Sequence, residues 1–175
     1  GAFNLADLDA FELANFNRQA GANLKTIGKQ KVDTLAAMAL DINPELDLNI
    51  FDRGIGPSNN REFLKDADVY LDGLDFFAVP ARRAIFATCA DLQIPAVTAA
   101  PLGLSTAVLN FLPGKMTFEE YFLLEGHDED EQLIRFLVGL APAALHRSYL
   151  VDPSTLNLAT RRGPSTSVGC ELCAG

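Results

Sequence analysis

The chain has 175 residues, a formal net charge of −9 at pH 7 and a hydrophobic content of 49%. The hydrophobic content is sufficient for a buried core, and the length favours a single domain. No run of roughly 18 apolar residues is present, so no membrane-spanning helix is predicted. The acidic charge argues against non-specific binding to nucleic acid. Because no secretory signal is apparent and the three cysteines are an odd number, we expect a cytoplasmic protein.

The sequence pattern predicts that strands and helices alternate along the first 98 residues. A strand is predicted over residues 3–7, followed by a long polar connection over 10–27 with one helical turn. A helix over 29–42 carries one apolar stripe and ends at Asn43-Pro44, because the residue before proline leaves the helical region. The further predictions are a strand over 46–50, a helix over 58–66, a strand over 67–72, a helix over 80–92 and strands over 94–98 and 105–111.

The C-terminal part has a different composition. Residues 113–126 are mixed and aromatic, and residues 152–168 have the composition of a loop. The acidic run 128–131 precedes an apolar helical stripe, and acids at a helix N-terminus offset its dipole, so the run predicts a helix start. The whole pattern indicates an α/β, Rossmann-like three-layer fold with a mostly parallel sheet.

Polar residues that suit a nucleotide follow the first strand. Asp7 comes at the strand end, Asn15 and Arg18 lie in the polar connection, and Lys31 starts the first helix. A carboxylate at a strand end can bind ribose hydroxyls, while cations a short way on can bind phosphates. The sequence therefore predicts a nucleotide site at this end of the sheet.

Five motifs in order carry a family resemblance. They are Asp7-x-Asp9, Asn15-x-Asn17-Arg18-Gln19, Gly28-x-x-Lys31, Asn43-Pro44 and Asp72-x-x-Asp75. Together they resemble the ThiF/MoeB superfamily of adenylyltransferases, which are related to ubiquitin-activating enzymes, over roughly residues 3–112. The resemblance implies that a carboxylate attacks the α-phosphorus of ATP, so that an acyl-adenylate forms and pyrophosphate leaves.

The resemblance also implies a role for each matching residue. Asp7 would hold the ribose hydroxyls, and Asn15 and Arg18 would bind phosphate. Lys31 would reach the phosphates, and Asp75 would organise Mg²⁺, which accepts one or two carboxylates plus phosphate oxygens. Arg18, Lys31 and Asp75 are the expected catalytic residues, with ATP and Mg²⁺ as cofactors. The expected partners are the C-terminus of a ubiquitin-like or sulfur-carrier protein, or another carboxylate, and a second copy of the chain in a homodimer.

The sequence departs from the family pattern at several points. The glycine-rich turn expected before the first Asp-x-Asp strand is absent, so we expect a fragment that lacks the first strand and glycine-rich loop and binds ATP poorly by itself. Residues 1–112 would form the nucleotide-binding domain and 113–175 its C-terminal extension. Phe76 stands where the family usually has Asn, and the arginine that follows, Arg82 or Arg83, comes slightly late. With no cysteine between residues 99 and 169, a thioester-forming nucleophile is not evident.

Other interpretations remain open for single residues. Asp9 is interpreted as a polar residue that closes a strand, and Asp72 as a helix cap. Cys170-Glu-Leu-Cys173 is one Cys-x-x-Cys pair, whereas four-coordinate zinc needs four ligands, so the start of a truncated helix is favoured over zinc. His127 and His146 are expected at the surface or the edge of the core.

Two other functions fit parts of the pattern. A redox Rossmann protein that binds NAD or FAD explains the aspartate at the strand end, but it leaves the Asn-Arg-Gln loop and the lysine unexplained. A non-catalytic scaffold of the same fold explains Phe76, the missing cysteine and the missing glycine loop.

Overall fold

The computed structural model describes residues 1–102 and 105–145. These residues form two compact units, residues 1–67 and residues 68 onward, each of which is described by itself. Helices and strands alternate as the sequence predicts, and two of the three strand pairs in the described ranges are parallel. The chain therefore has the α/β, Rossmann-like fold with a mostly parallel sheet.

The first unit is built on two parallel strands. β1 (Ala2–Ala6) pairs with β2 (Asp47–Phe51) in the register Ala2 to Asp47 through Ala6 to Phe51. Between them lie a 3-10 turn (Leu13–Asn15) and helix α1 (Lys31–Ile42), and helix α2 (Asn60–Phe63) follows.

Helix α1 matches the predicted span, but its apolar stripe is only partly covered. Val32 is buried, whereas Leu35 is 36% and Leu40 is 40% exposed. Within this unit the helix packs on a sheet of two strands, which is only roughly 10 Å wide and cannot cover the whole stripe. Asn59 stands at the N-cap of α2 but makes no side-chain cap bond; it instead binds the turn before the helix, at the Gly54 carbonyl and the Gly56 amide.

In its described residues, the second unit contains the sheet β3-β4-β5 and three helices. β3 (Tyr70–Asp72) runs parallel to β4 (Ala96–Leu102), and β5 (Ser105–Phe111) pairs antiparallel to β4. The helices are α3 (Val79–Leu92), α4 (Phe118–Phe122) and α5 (Glu129–Leu140). Helix α4 falls in the stretch that the sequence leaves as mixed and aromatic.

The core of this unit is aromatic. The rings of Phe86 and Phe118 lie 4.5 Å apart, and that of Phe122 lies 4.6 Å from Phe118 and 4.9 Å from Phe136. The rings of Phe76 and Phe136 lie 5.6 Å apart, so Phe76, which departs from the pattern that the resemblance implies, contributes to packing.

Helix α5 begins at the predicted acidic run. Asp128 is its N-cap, and its side chain accepts a hydrogen bond from the Glu131 amide at 2.9 Å. His127 lies 2.9 Å from the Glu131 carboxylate at the protein surface. None of the helices in the described ranges combines the length and the apolar character needed to span a bilayer.

Candidate functional site

The chain turns sharply where β1 ends. Oδ1 of Asp7 accepts a hydrogen bond from the Asp9 amide at 2.9 Å, which closes an Asx turn. Oδ2 of Asp9 in turn lies 3.1 Å from Nζ of Lys31, and the Lys31 amide donates to the Asp9 carbonyl at 2.9 Å. The structure therefore brings Asp7, Asp9 and Lys31 together at the carboxyl end of the first strand, where open α/β sheets bind ligands.

A short antiparallel contact closes the polar loop that follows. The Phe11 amide donates to the Lys29 carbonyl at 2.9 Å, and the Gly28 amide donates to the Phe11 carbonyl at 2.8 Å. Gly28 has φ of +78°, a backbone conformation that favours glycine. Because Phe11 is buried, the loop is anchored at its base and both its ends lie beside the Asp9–Lys31 pair.

Asn15 and Arg18 lie inside this loop and bind its backbone. Asn15 is buried, and its Oδ1 accepts a hydrogen bond from the Glu12 amide at 2.9 Å. Nη1 of Arg18 donates to the Ala14 carbonyl at 2.8 Å and to Oδ1 of Asn17 at 3.0 Å. The amide nitrogen of Asn15 and the guanidinium of Arg18 are the groups here whose chemistry suits a phosphate.

Asp75 occupies a comparable turn in the second unit. It follows β3 by three residues, is exposed, and accepts a hydrogen bond from the Phe77 amide through Oδ1 at 2.9 Å. Its main-chain oxygen accepts a hydrogen bond from the Ala78 amide at 2.9 Å. The backbone therefore holds this carboxylate at a strand end, in the same kind of Asx turn as Asp7.

A buried ion pair lies beneath this turn. Nε of Arg82 is 2.6 Å from Oδ2 of Asp72, and the two side chains are only 3% and 1% exposed. Oδ1 of Asp72 accepts hydrogen bonds from the Leu74 amide at 3.1 Å and from the Tyr70 hydroxyl at 3.4 Å. Burial, with the Asp72 charge as the next cause, raises the pKa of Tyr70 far above its ordinary value, so the phenol remains a donor.

These contacts correct the interpretation of Asp72 as a helix cap. No side chain caps α3, whose N-cap is Ala78, and Asp72 instead neutralises a buried arginine. The sequence contains a signal for this arginine: Arg82 lies on the same helical face as Val79, Phe86 and Cys89, all of them buried. A charged residue on an apolar stripe indicates a buried partner of opposite charge.

The donor set for a metal is small. The described residues contain no group of three or more His, Cys, Asp or Glu side chains that could hold an ion. Magnesium with a nucleotide requires only one or two carboxylates in addition to phosphate oxygens. The exposed carboxylate of Asp75 fits that requirement.

Cys89 is not suited to nucleophilic catalysis. It is buried in α3, and burial, with a smaller contribution from the Asp72 charge, raises the pKa of its thiol to about 12. Cys170, Cys173 and His146 lie outside the described residues. A thioester nucleophile is therefore not evident in the described part of the chain.

Comparison with known proteins agrees with the motif pattern. Residues 1–146 match the ThiF family. The tRNA threonylcarbamoyladenosine dehydratase of Haemophilus influenzae is 33% identical over 99 residues, which are 56% of this chain and 37% of that protein. The adenylyltransferase and sulfurtransferase UBA4 of Candida glabrata is 27% identical over 114 residues, covering 63% of this chain and 26% of that protein.

A solved structure supports the same assignment. The crystal structure of the E. coli tRNA N6-threonylcarbamoyladenosine dehydratase in complex with ATP superposes with a TM-score of 0.54 at 30% identity. The superposition covers 59% of this chain and 42% of that chain. The present chain thus spans less than half the length of these relatives, and its match to the family model extends over most of its own length. The chain belongs to the ThiF family.

Proposed function

We propose that this chain is the nucleotide-binding part of an ATP-dependent adenylyltransferase that activates a carboxylate. The observation that carries the proposal is the grouping of Asp7, Asp9 and Lys31 at the carboxyl end of β1. An acid and a cation at this edge suit the two ends of a nucleotide, since a carboxylate accepts ribose hydroxyls and an ammonium binds phosphate. The ATP complex of the 30% identical dehydratase supports the choice of nucleotide.

Each residue has a distinct role in this proposal. Asp7 accepts the ribose hydroxyls, and the Asn15 amide, Arg18 and Lys31 donate to the phosphates. The oxygen of the substrate carboxylate attacks the α-phosphorus, an acyl-adenylate forms and pyrophosphate leaves. Positioning and charge neutralisation provide most of the rate enhancement in such a transfer. Asp75 would hold Mg²⁺, and the bound ion would supply positive charge to the phosphates.

The substrate that we favour is the C-terminal carboxylate of a ubiquitin-like or sulfur-carrier protein. The name of the UBA4 relative, an adenylyltransferase and sulfurtransferase, supports this choice. We place the protein in the cytoplasm as a homodimer. We propose that residues 1–112 form the nucleotide-binding domain and that residues 113–175 form its C-terminal extension.

A second substrate is favoured by a specific observation. Two tRNA threonylcarbamoyladenosine dehydratases are 33% and 31% identical to this chain over 99 and 104 residues. The threonyl group of that nucleoside carries a carboxylate, so the same activation chemistry would apply. The net charge of −9 argues against it, because phosphate backbones attract basic surfaces.

The test is ATP–pyrophosphate exchange by the full-length protein with a sulfur-carrier protein, a ubiquitin-like protein or threonylcarbamoyladenosine tRNA as the carboxylate. We expect exchange with a carrier protein and a loss of at least roughly 100-fold in Asp75→Ala and Lys31→Ala. Asp68→Ala and Lys25→Ala, which change exposed residues of the same charge, are the matched controls. Undiminished exchange in both site variants would contradict the assignment, and exchange only with tRNA would select the second substrate.

A thermal-shift titration separates this function from redox chemistry. Only a true ligand raises the melting temperature of the full-length protein. We expect a shift with ATP and Mg²⁺ and none with NAD or FAD; the reverse result would favour the redox alternative. A shift with ATP but no exchange with any carboxylate would favour the non-catalytic scaffold. For residues 1–175 alone we expect weak ATP binding, which a micromolar affinity by calorimetry would contradict.

A further inference from the structure

The guanidinium of Arg82 is surrounded by acceptors from one short segment. Nε binds the Asp72 carboxylate at 2.6 Å, Nη1 donates to the Asp75 carbonyl at 3.2 Å, and Nη2 donates to the Leu74 carbonyl. Its Cζ atom lies 4.7 Å from the ring centroid of Phe136, so the planar group is also stacked. With a side chain only 3% exposed, Arg82 cannot meet a phosphate in solution.

We propose that Arg82 is a positioning residue, which clamps residues 72–75 so that the carboxylate of Asp75 is held outward to receive a metal ion. This inference rests on the proposed function, because the metal-holding role of Asp75 does. Arg82 fixes the main-chain oxygen of Asp75, while the Asp75 carboxylate is oriented by the Phe77 amide. The residue that touches the ligand and the residue that orients it are therefore different.

Arginine is required by the geometry and not only by the charge. The guanidinium presents several donors in one plane, and here three of its nitrogens reach three different acceptors. A lysine retains the charge opposite Asp72 but cannot bind the two carbonyls at the same time. Arg82→Lys therefore separates neutralisation of Asp72 from control of the turn.

Arg83 provides a matched control on the same helix. Its Nε binds Oε2 of Glu119 at 2.7 Å, and its side chain is 30% exposed. Arg83→Lys makes the identical chemical change one residue away, without touching the turn. Asp72→Asn is a second variant of the clamp, in case Arg82→Lys does not fold.

Amide hydrogen exchange tests the clamp without requiring any activity. In the full-length protein we expect Arg82→Lys to accelerate exchange of the Phe77 and Ala78 amides, which bond to Asp75, at least roughly tenfold. In Arg82→Lys the amides of β4 should exchange as in the wild type. In Arg83→Lys all amides should do so. Wild-type protection at Phe77 and Ala78 in Arg82→Lys, or acceleration spread evenly over the second unit, would overturn the proposal.

A magnesium titration of ATP–pyrophosphate exchange tests the consequence. We expect Arg82→Lys to raise the half-saturating Mg²⁺ concentration roughly 10- to 100-fold, as loss of a residue behind a metal ligand does. In an Asp75→Asn background, Arg82→Lys should raise the half-saturating Mg²⁺ concentration by less than about twofold, because the carboxylate that Arg82 orients is gone. An equal shift in both backgrounds would overturn the proposal. An inactive wild type would refute the proposed function, and hydrogen exchange would still decide whether Arg82 holds the turn.

Discussion

Nζ of Lys31 lies 3.1 Å from Oδ2 of Asp9, and this contact joins the start of the first helix to the end of the first strand. The lysine side chain is 12% exposed, whereas that of Asp9 is 58% exposed. A half-solvated pair of this kind contributes less than about 1 kcal/mol to stability. Asp9 therefore holds the Lys31 ammonium at the strand end through a contact that is weak enough for a phosphate to compete with it.

The first prediction separates ligand binding by Lys31 from its pairing with Asp9. Lys31→Ala should reduce ATP–pyrophosphate exchange by at least roughly 100-fold, because a donor to the phosphates is lost. Asp9→Asn should leave exchange within about threefold, because it removes only the partner of a weak ion pair. Initial rates at saturating carboxylate measure both variants. If the two variants lose exchange equally, Lys31 acts only through Asp9.

The second prediction concerns the two ends of the Asn15 amide. Asn15→Ala should destabilise the protein by about 1 kcal/mol, because the Glu12 amide loses its acceptor. Asn15→Asp retains that acceptor but replaces the phosphate donor with a negative charge, so it should bind ATP far more weakly. Chemical denaturation and calorimetry on the full-length protein provide the two measurements. Normal ATP affinity in Asn15→Asp would remove Asn15 from the site.

The third prediction concerns Cys89, whose thiol is buried and whose pKa is raised to about 12. Because the thiolate is the reactive form, alkylation of native Cys89 at pH 8 should be at least roughly 100-fold slower than in the unfolded chain. Mass spectrometry of the peptide that contains Cys89 separates it from Cys170 and Cys173. Alkylation at equal rates in the native and urea-unfolded protein would contradict the burial of this thiol.

The fourth prediction follows from the capping box of α4, in which Thr117 at the N-cap and Glu120 three residues later bond to each other. The hydrogen bond from the Thr117 amide lowers the pKa of Glu120 below its ordinary value of 4.5, and the bond from the Thr117 hydroxyl adds to this effect. A carboxylate with a lowered pKa in the folded state stabilises the protein above pH 4.5 and loses that contribution as the pH falls below it.

Melting temperatures measured from pH 7 to pH 3 test this prediction. The neutral isostere Glu120→Gln should melt below the wild type at pH 7, and the two curves should converge on acidification. Glu125→Gln, which alters an exposed glutamate outside the box, should follow the wild type throughout. A difference between Glu120→Gln and the wild type that does not depend on pH would contradict the assignment.

Much of the site was accessible from the sequence because its parts are local. Asp7 and Asp75 each follow a predicted strand, and both close Asx turns with amides two residues on. Turns of this kind depend on a few neighbouring residues, so motif and position predict them well. Their roles as ribose and magnesium ligands remain proposals.

Which charged side chains pair with each other was harder to predict from the sequence. Asp9 is interpreted from the sequence as a polar strand end, yet it pairs with a lysine 22 residues away. Asp72 is interpreted as a cap, yet it neutralises Arg82 from a different element. Helix α4 is missing from the prediction because only five residues form it, fewer than periodicity can detect.

The sequence by itself determined the alternation of strands and helices, the polar residues at strand ends and the ThiF family motifs, since these follow from side-chain periodicity and short spacings. Only the tertiary structure decided which charges meet. The pairing of Lys31 with Asp9 depends on how a long loop closes on itself, and that of Arg82 with Asp72 depends on how a helix packs beside a strand end. Such contacts are set by the folded path of the backbone, which no local pattern specifies.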